Sequence, residues 1–311
     1  MSDTRTTTTG YEALKTGAAI VFHPGKTIFR LIGKDPAGML NAILTNDMPE
    51  DKSLGTYALL LNPKGRIQTD LRALKDGEDI LIITEPEGAD AAQDILGRYA
   101  PFSRVKVEGA PMSILGLYGP RAKELLDLEL AEHEGKEVEI GGAKVLAVGV
   151  AVPAPGCDLI VPEENLAPVR DHLLNLGATR ATTDDYETVR IEAGVPRFGA
   201  DITPENFPNE AGILDRAVSF QKGCYPGQET VARTHYRGQP NKNLHRFVIE
   251  GEALDPETSI LQNEKEVGKI TSVAPLPVNG ETFALGYLKR KAAPEGDLRA
   301  GNARLAGEGL C

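Results

Sequence analysis

The chain has 311 residues, of which 41% are hydrophobic and 25% charged, and its 34 basic and 45 acidic side chains give a net charge of −11. A chain longer than the ~250 residues at which a single core stops growing is expected to fold as two or three domains. Its average composition excludes disorder, fibres and disulfide scaffolds, and its acidity argues against general nucleic-acid binding.

No window approaches the ~18 consecutive apolar residues of a membrane span, and the opening MSDTRTTTTG lacks the apolar core of a secretory leader. A cytoplasmic protein without a membrane segment is the expectation. Cys157, Cys224 and Cys311 are widely spaced and form no C-x-x-C pair, so neither a metal cage nor a redox dithiol is expected, and a reducing compartment is.

The first ten residues, rich in Thr, read as a frayed tail, with order beginning near Tyr11. In DPAGMLNAIL, Asp35 suits a helix cap, Pro36 the first helical position, and Met39, Leu40, Ile43 and Leu44 form an apolar stripe. The run TYALLLN, the turn Pro63-Lys64-Gly65, RIQTDLRAL, Asp76-Gly77 and DILIIT read as a three-stranded antiparallel meander. Alternation puts Ile67, Thr69, Leu71 and Ala73 on one face and Arg66, Gln68, Asp70 and Arg72 on the other, which either lines a cleft or meets solvent.

A helix from Ala89 to Tyr99 follows, then strands in SRVKVEG and MSILGLY, a helix from Pro120 to about Ala131, strands between Val138 and Val161, and a helix from Asn165 to Leu176. Strands and helices alternate without a regular βαβ repeat, which favours an α+β fold. After Asn241 the runs NLHRFVIEG, EVGKITSVAP and ETFALGYLKR predict a small C-terminal β-barrel, giving a region of residues 11–240 and a barrel of residues 241–311.

The segment QKGCYPGQETVARTHYRGQPNK concentrates chemistry. Pro226 and Gly227 open a short helix, so Cys224 is expected just before a helix N-terminus, where the dipole and Lys222 favour a thiolate; a small residue filling a turn is the alternative. Arg233, His235, Arg237, Lys242, His245 and Arg246 make a basic stretch in an acidic chain, either an anion site or a solvated linker. In RIEAGVPRFGADI, Glu192 can accept two hydrogen bonds from an amino-pyrimidine edge or form a surface ion pair.

KGCYPGQE resembles the signature of the YgfZ family, relatives of the glycine-cleavage T-protein. VART, TNDM at Thr45 to Met48, LLLNPKGRIQTDL, RIEAG, VGKITS and ALGYLKR follow in the order the two groups share, so the resemblance covers roughly Gly25 to Arg290. It implies three domains around a central opening for tetrahydrofolate, the first two interleaved in sequence. It implies Asp70 near the folate nitrogens with Tyr57 beside it, Glu192 on the pterin ring, and Arg233 with Lys222 and other basic neighbours toward the anionic tail.

Departures from the T-protein separate the relatives. Where the T-protein has an aspartate and an aromatic residue, this chain has Cys224 and Tyr225. Of the two consecutive acids in the hairpin only Asp70 is kept, with Thr69 in the other place. The resemblance therefore implies a folate-binding factor that assists assembly or repair of iron-sulfur enzymes, tRNA-modifying ones included, through Cys224 as a functional thiol. Its partners would be iron-sulfur assembly proteins or client enzymes. The alternative is a folate-dependent aminomethyltransferase or demethylase, in which Asp70 does the proton-transfer work and Cys224 is dispensable.

Overall fold

The computed structural model describes residues 8–309, in which helices and strands form two open sheets and a closed barrel. Cys311 and the first seven residues lie outside the described residues. Order begins before Tyr11: Thr9–Thr16 is a helix, capped by the Thr8 side chain on the Tyr11 amide, with Tyr11 and Leu14 buried. In this Thr-rich opening the last Thr but one, Thr8, is a cap, a role that composition alone does not reveal.

The chain lays strand Ala19–His23 in one sheet, then crosses to build the whole of the other from Thr27–Gly33, Thr56–Leu61, Ile67–Asp76, Asp79–Thr84 and Val105–Gly109. It returns at Met112–Tyr118 and completes the first sheet with Gly135–Ile140, Ala143–Val150, Gly156–Pro162 and Thr179–Arg180. All pairings are antiparallel except that of Ala19–His23 with Thr179–Arg180.

Alternation decides which faces are covered. Ile28, Leu74, Leu81 and Ile83 of the five-stranded sheet pack against Ile114, Val148 and Ile160 of the six-stranded one. Helices Pro36–Ile43 and Ala89–Tyr99 bury Leu40, Ile43 and Leu96 against Leu31, Leu71 and Ile82. Asp35 caps the first of these through the Gly38 amide at 2.8 Å. The helix expected from Pro120 to Ala131 is only Ala122–Leu126, because Asp127 takes a left-handed conformation (φ 48°) and ends it.

Lys242–Glu250 opens a six-stranded closed barrel whose interior holds Phe247, Ile260, Ile270, Leu288 and Leu298. Outward-facing Phe283, Leu285 and Tyr287 seat the barrel against helices Thr9–Thr16 and Thr183–Glu192 through Tyr11, Leu14, Val189 and Ile191. Helix Thr183–Glu192 is thereby held between the barrel and the open sheets, anchored at its start by a capping box of Thr182 and Asp185.

Candidate functional site

A cavity of about 330 Å³ opens where both sheets meet helix Thr183–Glu192. Strand Ile67–Asp76 supplies one wall: Ile67, Thr69, Leu71 and Ala73 are buried, whereas Asp70 and Arg72 line the cavity. The helix supplies another through Thr183, Tyr186, Glu187 and Arg190, one face at the three-to-four spacing of helical turns.

Tyr57 Oη donates to Asp70 Oδ2 at 2.8 Å. Burial pushes the Asp70 carboxyl up to about 6 and the Glu85 carboxylate adds to the rise, while the Tyr57 hydrogen bond opposes it. Burial also pushes Glu85 upward, but Lys26, in contact with it, outweighs burial and holds Glu85 below the usual carboxylate range. The site thus sets a carboxyl group that titrates near neutrality beside one that stays ionised, an arrangement suited to exchanging a proton with a bound ligand.

A second chain of polar groups crosses the opposite wall. His23 Nε2 meets Tyr118 Oη at 2.8 Å, Tyr118 donates to Asp158 Oδ1, and Arg72 Nη1 donates to Asp158 Oδ2. Burial would raise Asp158, but the Arg72 guanidinium, His23, the Tyr118 hydrogen bond and Lys26 together outweigh it and keep the carboxyl below its ordinary value. Burial lowers His23 to about 4 despite the pull of Asp158, so the imidazole is neutral at pH 7. His133 is likewise lowered to about 4 by burial and by Arg72. Tyr186 stacks on Tyr118, with centroids 5.4 Å apart, and meets His23 edge-on at 4.7 Å, giving an aromatic surface for a planar ring.

Of the residues singled out in the sequence, Asp70 and Tyr57 come together in the cavity; Glu192, Lys222, Arg233 and Cys224 do not line it. Glu192 Oε2 accepts from Tyr11 Oη at 2.8 Å and from Lys15 Nζ at 2.9 Å. The reason is helical geometry: two positions beyond Arg190, Glu192 lies about 200° around the axis and faces helix Thr9–Thr16. Glu187, one turn before Arg190, is the helix carboxylate that reaches the cavity, held by Arg190 Nε and Nη2 at 3.0 and 2.9 Å.

Lys222 donates to the carbonyls of Leu44 and Asn46 at 2.6 and 2.8 Å, tying the loop before Cys224 to the TNDM segment. Arg233 is exposed on helix Gln228–Arg237. The cations that line the cavity are instead Lys26, Arg72, Arg190, Arg197 and Arg216.

Cys224 is exposed, in the loop that leads into helix Gln228–Arg237. That loop is braced on the hairpin. Gly227 has φ +83°, and a Cβ there would lie 2.6 Å from Asn62 O and 2.8 Å from Gly65 Cα. Tyr225 anchors the same loop in the cluster of Leu59, Leu61 and Val231. Cys157 is buried, and burial pushes its thiol up to about 12, as for an inert core residue.

His23, Tyr118, His133, Asp158, Tyr186 and Arg216 escaped the sequence reading. Tyr186 and Glu187 were legible in principle, since they share the helical face of Arg190. Asp158 stands between buried Cys157 and Leu159 in a strand, and its partners Arg72 and Tyr118, both distant in sequence, explain its burial.

Residues 8–222 match the GCVT N-terminal domain family. The chain is 30% identical over 251 residues to the tRNA-modifying protein YgfZ of Yersinia pestis (strain Pestoides F), covering 76% of this chain and 73% of that one. It is 27% identical over 251 residues to the protein of that name from Vibrio vulnificus (strain YJ016), covering 78% and 73%. Its fold is that of the glycine cleavage system aminomethyltransferase T from Bartonella henselae, with a TM-score of 0.82 at 19% identity over 95% of this chain and 86% of that one.

Proposed function

The chain belongs to the YgfZ family within the GCVT N-terminal domain group, and on that premise we propose that it binds tetrahydrofolate in the central cavity and supports iron-sulfur enzymes through Cys224. The observation that carries the folate reading is the Tyr57–Asp70 pair, with a carboxyl that titrates at about 6, facing the stacked rings of Tyr118 and Tyr186. The pyrimidinone half of a reduced pterin is planar and rich in N–H donors. Such a cavity offers an aromatic face together with carboxylates.

In this reading Asp70 lies by the one-carbon-carrying nitrogens, Glu187 takes the amino-pyrimidine edge in place of Glu192, and the anionic tail meets cavity arginines in place of Arg233 and Lys222. In the same reading residues 11–240 form the two interleaved folate-binding domains, and the barrel that begins near residue 241 holds helix Thr183–Glu192 in position.

The exposure of Cys224 away from the cavity favours a thiol that meets another macromolecule over one that attacks a bound folate. The relatives' name, tRNA-modifying protein, suits clients among iron-sulfur enzymes that modify tRNA. The reading places the protein in the cytoplasm; among the described residues no helix is long and apolar enough to cross a membrane.

The second reading, folate-dependent aminomethyl transfer or demethylation, is favoured by one observation, the near-neutral Asp70. A deletion strain complemented with Cys224→Ala or Asp70→Asn separates the two. Loss of iron-sulfur enzyme activity with Cys224→Ala supports the thiol role, whereas full rescue by Cys224→Ala and none by Asp70→Asn supports the transferase.

A further inference from the structure

Among the described residues Arg72 Nη1 donates to Asp158, while Nε and Nη2, both buried, have no hydrogen-bond partner. These two nitrogens form the side of a guanidinium whose parallel N–H bonds match the two oxygens of a carboxylate. His133 Nδ1, on another wall segment of the same cavity, is also buried and without a hydrogen-bond partner among the described residues. Buried donors left unpaired are costly, and a charged guanidinium most of all, so a ligand that fills this edge recovers a large penalty.

We infer that the Nε–Nη2 edge of Arg72, closed to solvent behind the cavity wall, is a carboxylate subsite, with His133 Nδ1 a further unpartnered donor among the residues that line the same cavity. Asp158 holds the far end of the guanidinium, and Tyr118 and His23 hold Asp158 in turn, so the edge is fixed before the ligand arrives. A neutral His133 adds a third donor in the tautomer that carries its proton on Nδ1. Arg72 stands two positions along the strand from Asp70 on the same face, about 7 Å away.

A ligand whose reacting atoms lie at Asp70 therefore brings a carboxylate to Arg72 across about one aromatic ring, or a small free carboxylate binds there next to it. The carboxylate is common to both. The inference concerns the cavity of the proposed folate site and rests on that reading for the identity of the neighbouring ligand, but not for the carboxylate itself.

The test uses the full chain and three probes: tetrahydrofolate, 6-methyltetrahydropterin, which has no carboxylate, and acetate. Arg72→Lys keeps a cation opposite Asp158 and removes the paired N–H edge; Arg72→Gln with Asp158→Asn removes both charges together. Thermal unfolding establishes that each variant is folded, and calorimetry reads binding. Loss of tetrahydrofolate affinity by about tenfold or more, with 6-methyltetrahydropterin within about twofold of wild type, assigns the carboxylate to the folate itself. Acetate that binds wild type and not the variants, with tetrahydrofolate unchanged, assigns it to a separate small acid. Acetate binding that depends on Arg72 without any pterin binding would discard the folate reading and keep the subsite. Carboxylate probes that bind the variants as they bind wild type, or do not bind wild type at all, overturn the inference.

Discussion

Tyr57 and Asp70 stand on neighbouring antiparallel strands, and the phenol donates to the carboxylate at 2.8 Å across the diagonal of the Leu59–Asp70 and Tyr57–Arg72 pairs. The bond stabilises the ionised form of Asp70 against burial. Tyr57→Phe is therefore expected to raise the Asp70 pKa above about 6, so that tetrahydrofolate binding changes at a higher pH than in wild type. A pH series of calorimetric titrations, or carboxyl NMR on labelled Asp70, measures the shift; a fall would refute the assignment of the bond.

The same burial carries a stability cost with a defined sign. The folded pKa of Asp70, about 6, exceeds the ordinary 3.8, so folding is favoured below the lower value and loses stability as pH rises toward the upper one. Asp70→Asn should stabilise the protein at pH 7 by up to about 3 kcal/mol, with the gain absent at pH 4. It should also weaken the folate site, the trade expected of a functional group. Urea denaturation at the two pH values decides; an equal effect at both would mean that Asp70 is not held out of water.

Arg72 and Asp158 are a buried ion pair, with side chains 17% and 8% exposed. Replacing either alone leaves the other charge stranded and should cost about 3–5 kcal/mol, whereas Arg72→Met with Asp158→Leu should recover most of it. A double-mutant cycle by chemical denaturation gives the coupling. Additive losses would show the two groups to be independent.

Glu187 and Glu192 lie on the same helix and differ in the face they occupy. Glu187→Gln should weaken tetrahydrofolate binding by about 1–3 kcal/mol, while Glu192→Gln should leave it within about 0.5 kcal/mol. Glu192→Gln acts instead on the contact of helix Thr9–Thr16 with helix Thr183–Glu192, through Tyr11 and Lys15. Calorimetry on both variants checks the exchange of roles; the reverse pattern would return the pterin carboxylate to Glu192.

Much of this architecture was legible in the sequence because period-two alternation survives in strands that pack on one face. Ile67, Thr69, Leu71 and Ala73 against Asp70 and Arg72 is such a case: alternation separated the two faces and left the polar one to line a cleft or meet solvent, and the structure has Asp70 and Arg72 on the cavity. The barrel beginning at Lys242 was equally plain, since Gly and Pro punctuate short β-rich runs. The second wall was not legible. His23, Tyr118 and Asp158 come from three strands of one sheet, the first separated in sequence from the other two by the whole of the second sheet, and only the return of the chain at Met112 brings them together. Glu192 was chosen on the match of RIEAG to the family, and a motif does not say which side of the helix meets the cavity. Likewise the basic stretch after Cys224 disperses on folding. Arg233 stays exposed, Lys242 lies over the Tyr287 ring at 4.5 Å, and Arg246 donates to the Glu192 carbonyl at 2.6 Å.

The most direct test of the central claim is calorimetric titration of the reduced protein with tetrahydrofolate, for wild type, Asp70→Asn and Cys224→Ser. Saturable micromolar binding that weakens with Asp70→Asn and is unchanged with Cys224→Ser is the expected result, placing folate in the cavity and the thiol outside it. No binding by wild type, or binding that Cys224→Ser abolishes and Asp70→Asn leaves intact, would contradict the account.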